Sequence, residues 1–320
     1  MPLLKSDYNP RNPLFRNKHL ATIFPTQFRS VRAEVPSDRI RMDTPDGDFI
    51  DVDLPEQQHD RAVILLHGFE GSSTRPYMLG MARHLQNANW DAIALNHRGC
   101  SGEPNKKPHA YHAGYFEDVI FLIENIINTR SYHSIALIGF SLGGNILLNY
   151  LAKCPNIPTQ VKAGVAISVP IDLRTAVYEL MKSNNWIYSR DFYKKLIKKM
   201  KVKRKAYPNL LPYDQILQSQ NLDEFDENYT APYHGFENAM DYRVKNSALF
   251  ILDQIQRPAL LINAQNDPFL TESCYPYELA ASSEKLFLLT PRYGGHVGFW
   301  MPGGTYYHEK KSSTFLDKFV

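Results

Sequence analysis

The chain has 320 residues, 43% of them apolar, with a formal net charge of +3 at pH 7. The length suits one large domain with an insertion, or two domains, and the apolar fraction can fill a sizeable core. The charge is too small to indicate a nucleic-acid partner, and no run approaches the ~20 apolar residues of a membrane span. Cys100, Cys154 and Cys274 are an odd, widely spaced set without a metal-ligand pattern, and they read as reduced thiols. The first eight residues contain no apolar core of a signal peptide. The expected setting is a soluble cytoplasmic protein, monomeric by default.

Residues 1–35 read as an irregular segment packed on the body, interrupted by Pro2, Pro10, Pro13 and Pro25. Within it, 17–24 has the pattern of one or two helical turns, with Leu20, Ile23 and Phe24 sharing the face that anchors them. His19 there reads as a surface or capping residue. Pro45-Asp46-Gly47-Asp48 is a turn signal. Ile50, Val52 and Leu54 alternate with Asp51 and Asp53, so 38–54 reads as a hairpin with a half-buried second strand. The run 62–66 is unbroken apolar, as in a strand buried on both faces of a parallel sheet, and it ends in the loop 67–73.

A helix follows at 76–87, a strand at 91–95, and a helix at 115–128 whose apolar face is Val119, Ile120, Leu122, Ile123, Ile126 and Ile127. A strand and helix span 135–153, a strand spans 161–168, and two more lie at 258–264 and 285–289. This alternation predicts an α/β chain with a mostly parallel, doubly wound sheet that starts with an antiparallel hairpin.

Residues 173–248 break the alternation, with helical patterns and no strand. They read as a helical cap over the carboxyl ends of the strands, where open α/β sheets place their ligands. The core is then 36–172 with 249–320. The cap contains a basic cluster of Lys194, Lys195, Lys198, Lys199, Lys201, Lys203, Arg204 and Lys205. It reads as a solvated helix face, with weak peripheral contact to an anionic lipid or acidic surface as the alternative. Of Leu180, Met181, Trp186, Ile187, Tyr188, Phe192, Leu196 and Ile197, most are expected in the cap's own core. The rest would line an apolar cleft.

The chemistry centres on Gly139-Phe140-Ser141-Leu142-Gly143-Gly144. Gly-x-Ser-x-Gly between a buried strand and a helix is the context of a nucleophile elbow, with the serine on a strained turn and the helix N-terminus favouring negative charge beside it. A serine hydroxyl needs a base, and the base needs an acid to set its tautomer. On this kind of scaffold they follow in the order serine, acid, histidine. After Ser141 the histidines are His234, His296 and His308. His296 lies among glycines in Gly294-Gly295-His296-Val297-Gly298, just past the last strand. His234 falls in the cap and His308 in a polar stretch near the end. Asp267 follows the strand at 258–264 and is the preferred acid, with Asp172 as the alternative. The oxyanion hole is expected from the backbone N–H groups of Leu142 and Phe69. His67 then holds that loop by hydrogen bonds to nearby backbone.

With these residues in order, the chain resembles the YheT-like branch of the α/β-hydrolases. That branch is related to the eukaryotic abhydrolase-domain proteins of types one and three and to yeast medium-chain alcohol acyltransferase/esterases. The resemblance runs through Asn17-Lys18-His19-Leu20-Ala21-Thr22, Pro45-Asp46-Gly47-Asp48-Phe49 and His67-Gly68-Phe69-Glu70-Gly71. It continues through Asn96-His97-Arg98-Gly99, the elbow with Asn145, Thr230-Ala231-Pro232, Asn266-Asp267-Pro268-Phe269 and the glycine loop around His296. It implies the α/β-hydrolase fold, a triad of Ser141, Asp267 and His296, and hydrolysis of short- to medium-chain acyl esters without cofactor or metal. Two departures stand out. Asn266 occupies a position where relatives often have a second Asp, and His97 one where they often have an aromatic residue. The partner expected is a small acyl ester. Alternatives with the same triad are acyl transfer to an alcohol and a monoacylglycerol-type lipase. A non-catalytic binding protein would be expected to have lost one of the three residues.

Overall fold

The computed structural model describes residues 2–31 and 37–320, so the expected boundary at 35–36 lies outside the described residues. Among the described residues there are nine strands, β1 (Leu3–Leu4), β2 (Ser37–Asp43), β3 (Phe49–Pro55), β4 (Arg61–Leu66), β5 (Asp91–Asn96), β6 (Ser134–Phe140), β7 (Val161–Ile167), β8 (Ala259–Ile262) and β9 (Leu286–Leu289). They form one sheet in the order β1-β9-β8-β7-β6-β4-β5-β3-β2. β3 is antiparallel to both β2 and β5, and every other pairing is parallel.

The alternation of side chains along β4 explains the two layers. Ala62, Ile64 and Leu66 point into a core with α3 (Glu117–Thr129) and α4 (Leu142–Lys153). Val63 and Leu65 point into the opposite core with α2 (Pro76–Gln86) and the C-terminal helix Tyr307–Leu316. A strand covered on both faces has no polar side, which is why its sequence is continuous apolar.

Three expectations need correcting. First, the N-terminal segment is not irregular throughout. β1 extends the sheet beside β9, and α1 (Lys18–Phe28) continues through Pro25. The face that α1 buries is Ala21, Thr22 and Pro25, while Leu20 and Phe24 remain 45% and 38% exposed. The helix rests on the glycine loop that precedes the C-terminal helix. A Cβ on Gly298 would lie 2.1 Å from the Ala21 carbonyl oxygen, and one on Gly295 would lie 2.8 Å from Thr22 Oγ1. So close an approach admits only small residues, whatever the apolar stripe suggests.

Second, β3 is buried on both faces. Asp51 is only 3% exposed. Arg41, its partner in register, binds both carboxylate oxygens at 2.9 Å, and the Ser101 hydroxyl donates to it at 2.5 Å.

Third, the basic cluster is not one solvated face. Between β7 and β8 the chain forms α5 (Leu173–Met181), α6 (Trp186–Ala206) and shorter helical segments, with no strand. α6 exposes Lys194, Lys198, Lys201, Arg204 and Lys205. Leu196 and Met200 instead enter an apolar cluster with Leu211, Ile216, Leu222 and Phe225. Lys199 and Lys203 turn inward beside them. The Lys203 ammonium donates to Asn105 Oδ1 at 2.8 Å and to the carbonyls of Lys107 and Pro108.

Lys203 is 1% exposed, and burial pushes its pKa from 10.5 down to about 7. Between those two values the unfolded chain binds the proton that the folded chain releases, so the Lys203 contribution to stability rises with pH in that window. Relative to Lys203→Met, the wild type should gain up to about 1.4 kcal/mol per pH unit between pH about 7 and 10.5. Urea unfolding across that range measures it. Parallel pH profiles for the two proteins would contradict the assignment.

Candidate active site

Ser141 is the single residue between β6 and α4, with φ 51° and ψ −121°. The turn is tight because the two elements almost touch. A Cβ on Gly139 would lie 2.4 Å from the Gly143 carbonyl oxygen, and one on Gly143 would lie 2.5 Å from the carbonyl oxygens of Leu66 and His67. A Cβ on Gly144 would meet Val169 at 2.4 Å. Glycines at these positions let strand, helix and the β4 loop meet, and the strain falls on the serine.

His296 comes from the loop after β9, where Gly294, Gly295, Val297 and Phe299 all have positive φ. Residues distant in sequence hold this loop. The N–H of His296 donates to Thr22 Oγ1 at 2.9 Å, that of Val297 to Ser168 Oγ at 2.9 Å, and that of Gly295 to Asn266 Oδ1 at 3.0 Å. The imidazole then bridges two of the predicted residues. Its Nδ1–H donates to Asp267 Oδ2 at 2.8 Å, and its Nε2 lies 3.0 Å from Ser141 Oγ. The other Asp267 oxygen accepts from the Phe269 N–H at 2.9 Å. With Nδ1 protonated, Nε2 has a lone pair for the serine proton.

The other candidates lie elsewhere. Asp172 caps the first turn of α5 and binds Arg174 at 2.9 Å. Its burial favours the neutral form, but hydrogen bonds from Arg174 and Ser273 hold its pKa below the usual carboxylate range. His234 is pinned between the Thr230 carbonyl and the Ala110 N–H, and burial lowers its pKa to about 4. His308 is fully buried, with neither ring nitrogen bonded within the described residues.

The loop after β4 runs alongside the serine, and a Cβ on Gly68 would lie 3.1 Å from Ser141 Cβ. His67 donates from Nδ1 to the Gly68 carbonyl and accepts from the His97 N–H through Nε2. His97 returns a bond from its ring to the His67 carbonyl and stacks on Tyr111 at 4.8 Å. The histidine at this position therefore locks the loop, and the flat ring does so partly by stacking. Gly68 N–H donates to Tyr77, and Glu70, at φ 48°, donates its N–H to the Tyr111 hydroxyl at 2.9 Å. That hydroxyl donates back to Glu70 Oε1 at 3.0 Å, which Lys199 of α6 also binds at 2.6 Å. Phe69 is thus fixed on both sides, and neither its N–H nor that of Leu142 donates to another described residue.

Thr22, Ser168, Tyr77, Tyr111 and Lys199 are the supporting residues that sequence reasoning missed. Thr22 lies in one of the family runs and Lys199 in the basic cluster, but nothing local in the sequence shows what any of the five touches, because each acts from a different part of the chain. Among the described residues, no group of three or more His, Cys, Asp or Glu could hold a metal ion.

Two cavities meet at Ser141 and His296. One, of about 130 Å³, runs under the insertion and is lined by Leu173, Ala176, Val177, Leu180, Phe192 and Leu196. The other, of about 480 Å³, opens between α1 and α6 and is lined by Thr22, Thr26, Gln27, Arg75, Asp191 and Lys195. Of the eight insertion residues expected mostly in its own core, five also line a cavity: Leu180, Phe192 and Leu196 reach the first, and Ile187 and Tyr188 the second. Trp186 is exposed, and Met181 and Ile197 pack in the insertion's own cluster.

Residues 61–301 match the family described as the alpha/beta hydrolase fold. The esterase candidate YheT of Escherichia coli (strain K12) is 35% identical, with 92% of this chain and 87% of that protein aligned. Phospholipase ABHD3 of Mus musculus is 27% identical over 74% of this chain and 58% of its own length. Among solved structures, the Pyrococcus furiosus esterase Pf2001 superposes with a TM-score of 0.63 at 18% identity, covering 90% of this chain and 92% of that one. At that identity the likeness concerns the fold.

Removing the Tyr111 hydroxyl leaves the Glu70 N–H without its acceptor. Tyr111→Phe should therefore lower unfolding free energy by about 1–3 kcal/mol, measured by urea denaturation. A variant as stable as the wild type would show that the loop does not depend on this bond.

Proposed function

Because the chain belongs to the family of the alpha/beta hydrolase fold, we propose that it is a serine hydrolase of carboxylic esters that works through an acyl-enzyme on Ser141. The observation that carries this reading is the continuous line from Asp267 through His296 to Ser141, at 2.8 and 3.0 Å. The names of the relatives, an esterase candidate and a phospholipase, support esters as the substrate class.

In this mechanism His296 Nε2 takes the Ser141 proton as Oγ attacks the ester carbonyl. The Asp267 carboxylate holds the Nδ1–H tautomer and stabilises the imidazolium that forms. The carbonyl oxygen becomes an oxyanion and receives the N–H groups of Leu142 and Phe69, each such donor typically giving ~10²–10³ in rate. His296 then gives its proton to the departing alkoxide. Water enters and attacks the acyl-enzyme as His296 takes its proton, and His296 then returns a proton to Ser141 Oγ as the acyl bond breaks, which releases the acid and frees Ser141. No step needs a cofactor.

The helices of 173–248 act as a cap whose apolar cavity receives the acyl chain, and 2–31 packs on the body. The short cavity supports acyl groups of short to medium length. The protein works as a cytoplasmic monomer, and its exposed lysines give at most weak contact with anionic surfaces. Among the described residues no helix is long and apolar enough to cross a membrane.

Ser141→Ala should abolish hydrolysis of p-nitrophenyl esters and labelling by a fluorophosphonate, with thermal unfolding preserved. Asp267→Asn should lower kcat by about 10⁴-fold, as loss of the correct tautomer does in serine proteases, and Asp172→Asn by far less. The reverse order would assign the acid to Asp172.

Each buried CH₂ contributes about 0.8 kcal/mol, so kcat/KM should climb along a series of acyl esters and stop where the cavity ends. Ala176→Leu, which intrudes on that cavity, should move the optimum to a shorter chain. A flat profile from acetate to palmitate in the wild type would contradict an acyl-measuring cap.

A further inference from the structure

An ester bound at Ser141 must divide between two unlike spaces. The smaller cavity has hydrocarbon walls along most of its length, so the acyl chain belongs there. The alcohol portion then occupies the larger cavity, which also reaches His296, the residue that protonates it. The chemistry of that second space follows from its charges. Lys195 and Asp191 pair at 2.6 Å and cancel each other.

Arg75 is different. It precedes Pro76 at the start of α2, its side chain makes no capping bond, and among the described residues its guanidinium has no hydrogen-bond or ion-pair partner. Several other arginines of the fold pair with carboxylates, Arg39 with Asp53, Arg41 with Asp51, Arg98 with Asp118, and Arg243 with Asp226, but none of these lines the cavity that holds Arg75. The Arg75 charge is felt within the site. It acts on Tyr77, the residue that holds Gly68, against the burial that pushes that phenol up to about 12. A half-buried arginine that lines a cavity and has no counter-charge of its own is a ready site for an oxyanion, since its planar donors suit carboxylate and phosphate oxygens.

We propose that Arg75 makes the larger cavity a subsite for an anionic leaving group. The preferred substrates are then acyl esters whose alcohol portion contains a phosphate, phosphodiester or carboxylate. This rests on the ester-hydrolase reading above and specifies the half of the substrate that the acyl cavity leaves open.

The test compares 1-octanoylglycerol 3-phosphate with 1-octanoylglycerol, which share the acyl chain and the ester. The wild type should favour the phosphate, and raised ionic strength should erode the preference. Arg75→Gln should lower the ratio of kcat/KM for the two substrates by roughly tenfold, through KM, as expected for one charged hydrogen bond. Arg75→Lys should restore part of it. A wild-type preference for the neutral ester, or an unchanged ratio in Arg75→Gln, overturns the subsite. Binding to Ser141→Ala by calorimetry separates the subsite from the chemistry. Tighter binding of the phosphate there, lost with Arg75→Gln, upholds the subsite even if turnover fails in the wild type. Equal binding of both lipids overturns it.

Discussion

The structure depends on how closely one strand, one helix and one loop approach each other around Ser141. Gly139, Gly143 and Gly144 remove the three Cβ atoms that would hold β6, α4, the β4 loop and Val169 apart. What remains is a turn of one residue, Ser141, forced to φ 51°. That strain raises the serine above the ends of the strands and points the first turn of α4 at it. The parallel order of β4, β6, β7, β8 and β9 then sets where everything else must arrive. Loops leaving the same ends of these strands bring Phe69, Asp267 and His296 to one rim.

Close approach recurs on the far side of the site and makes the N-terminal helix part of the machinery. Gly295 and Gly298 let α1 lie directly on the histidine loop, and Thr22 uses that proximity to fix the His296 backbone. Asn266 fixes the same loop through Gly295 and reaches the Arg16 carbonyl at 3.1 Å. An amide serves here where a second carboxylate would not, because it accepts from one backbone group and donates to another. The loop after β4 is tied differently, by a buried salt bridge from Glu70 to Lys199. Through that bond the insertion and the loop that flanks Ser141 are mechanically joined.

The sheet and the elbow were legible in the sequence because their signals are local. Strands covered on both faces are continuous apolar runs, and Gly-x-Ser-x-Gly sits between a strand and a helix. Chain order was enough to propose Ser141, Asp267 and His296, which the structure brings within hydrogen-bonding distance. What was not legible depends on partners distant in sequence. The inner face of α1 is small rather than apolar because a glycine loop presses on it. Lys199 and Lys203 look like their solvated neighbours, and partners far away in sequence draw them inward, Glu70 and Cys100 for the first, Asn105 and the 107–108 carbonyls for the second. Asp51 is buried by the register that brings Arg41 opposite it. β1, at two residues, is too short to show a period. His97 was noted as a departure, but its role appears only once its ring is seen against His67 and Tyr111.

The account stands or falls on a covalent bond between the acyl group and Ser141. Mass spectrometry of the protein acid-quenched during turnover of a p-nitrophenyl acyl ester tests this directly. The prediction is a burst of p-nitrophenol that matches the enzyme concentration, and a peptide containing Ser141 heavier by one acyl group. No adduct, or an adduct on a different residue, would contradict the central claim.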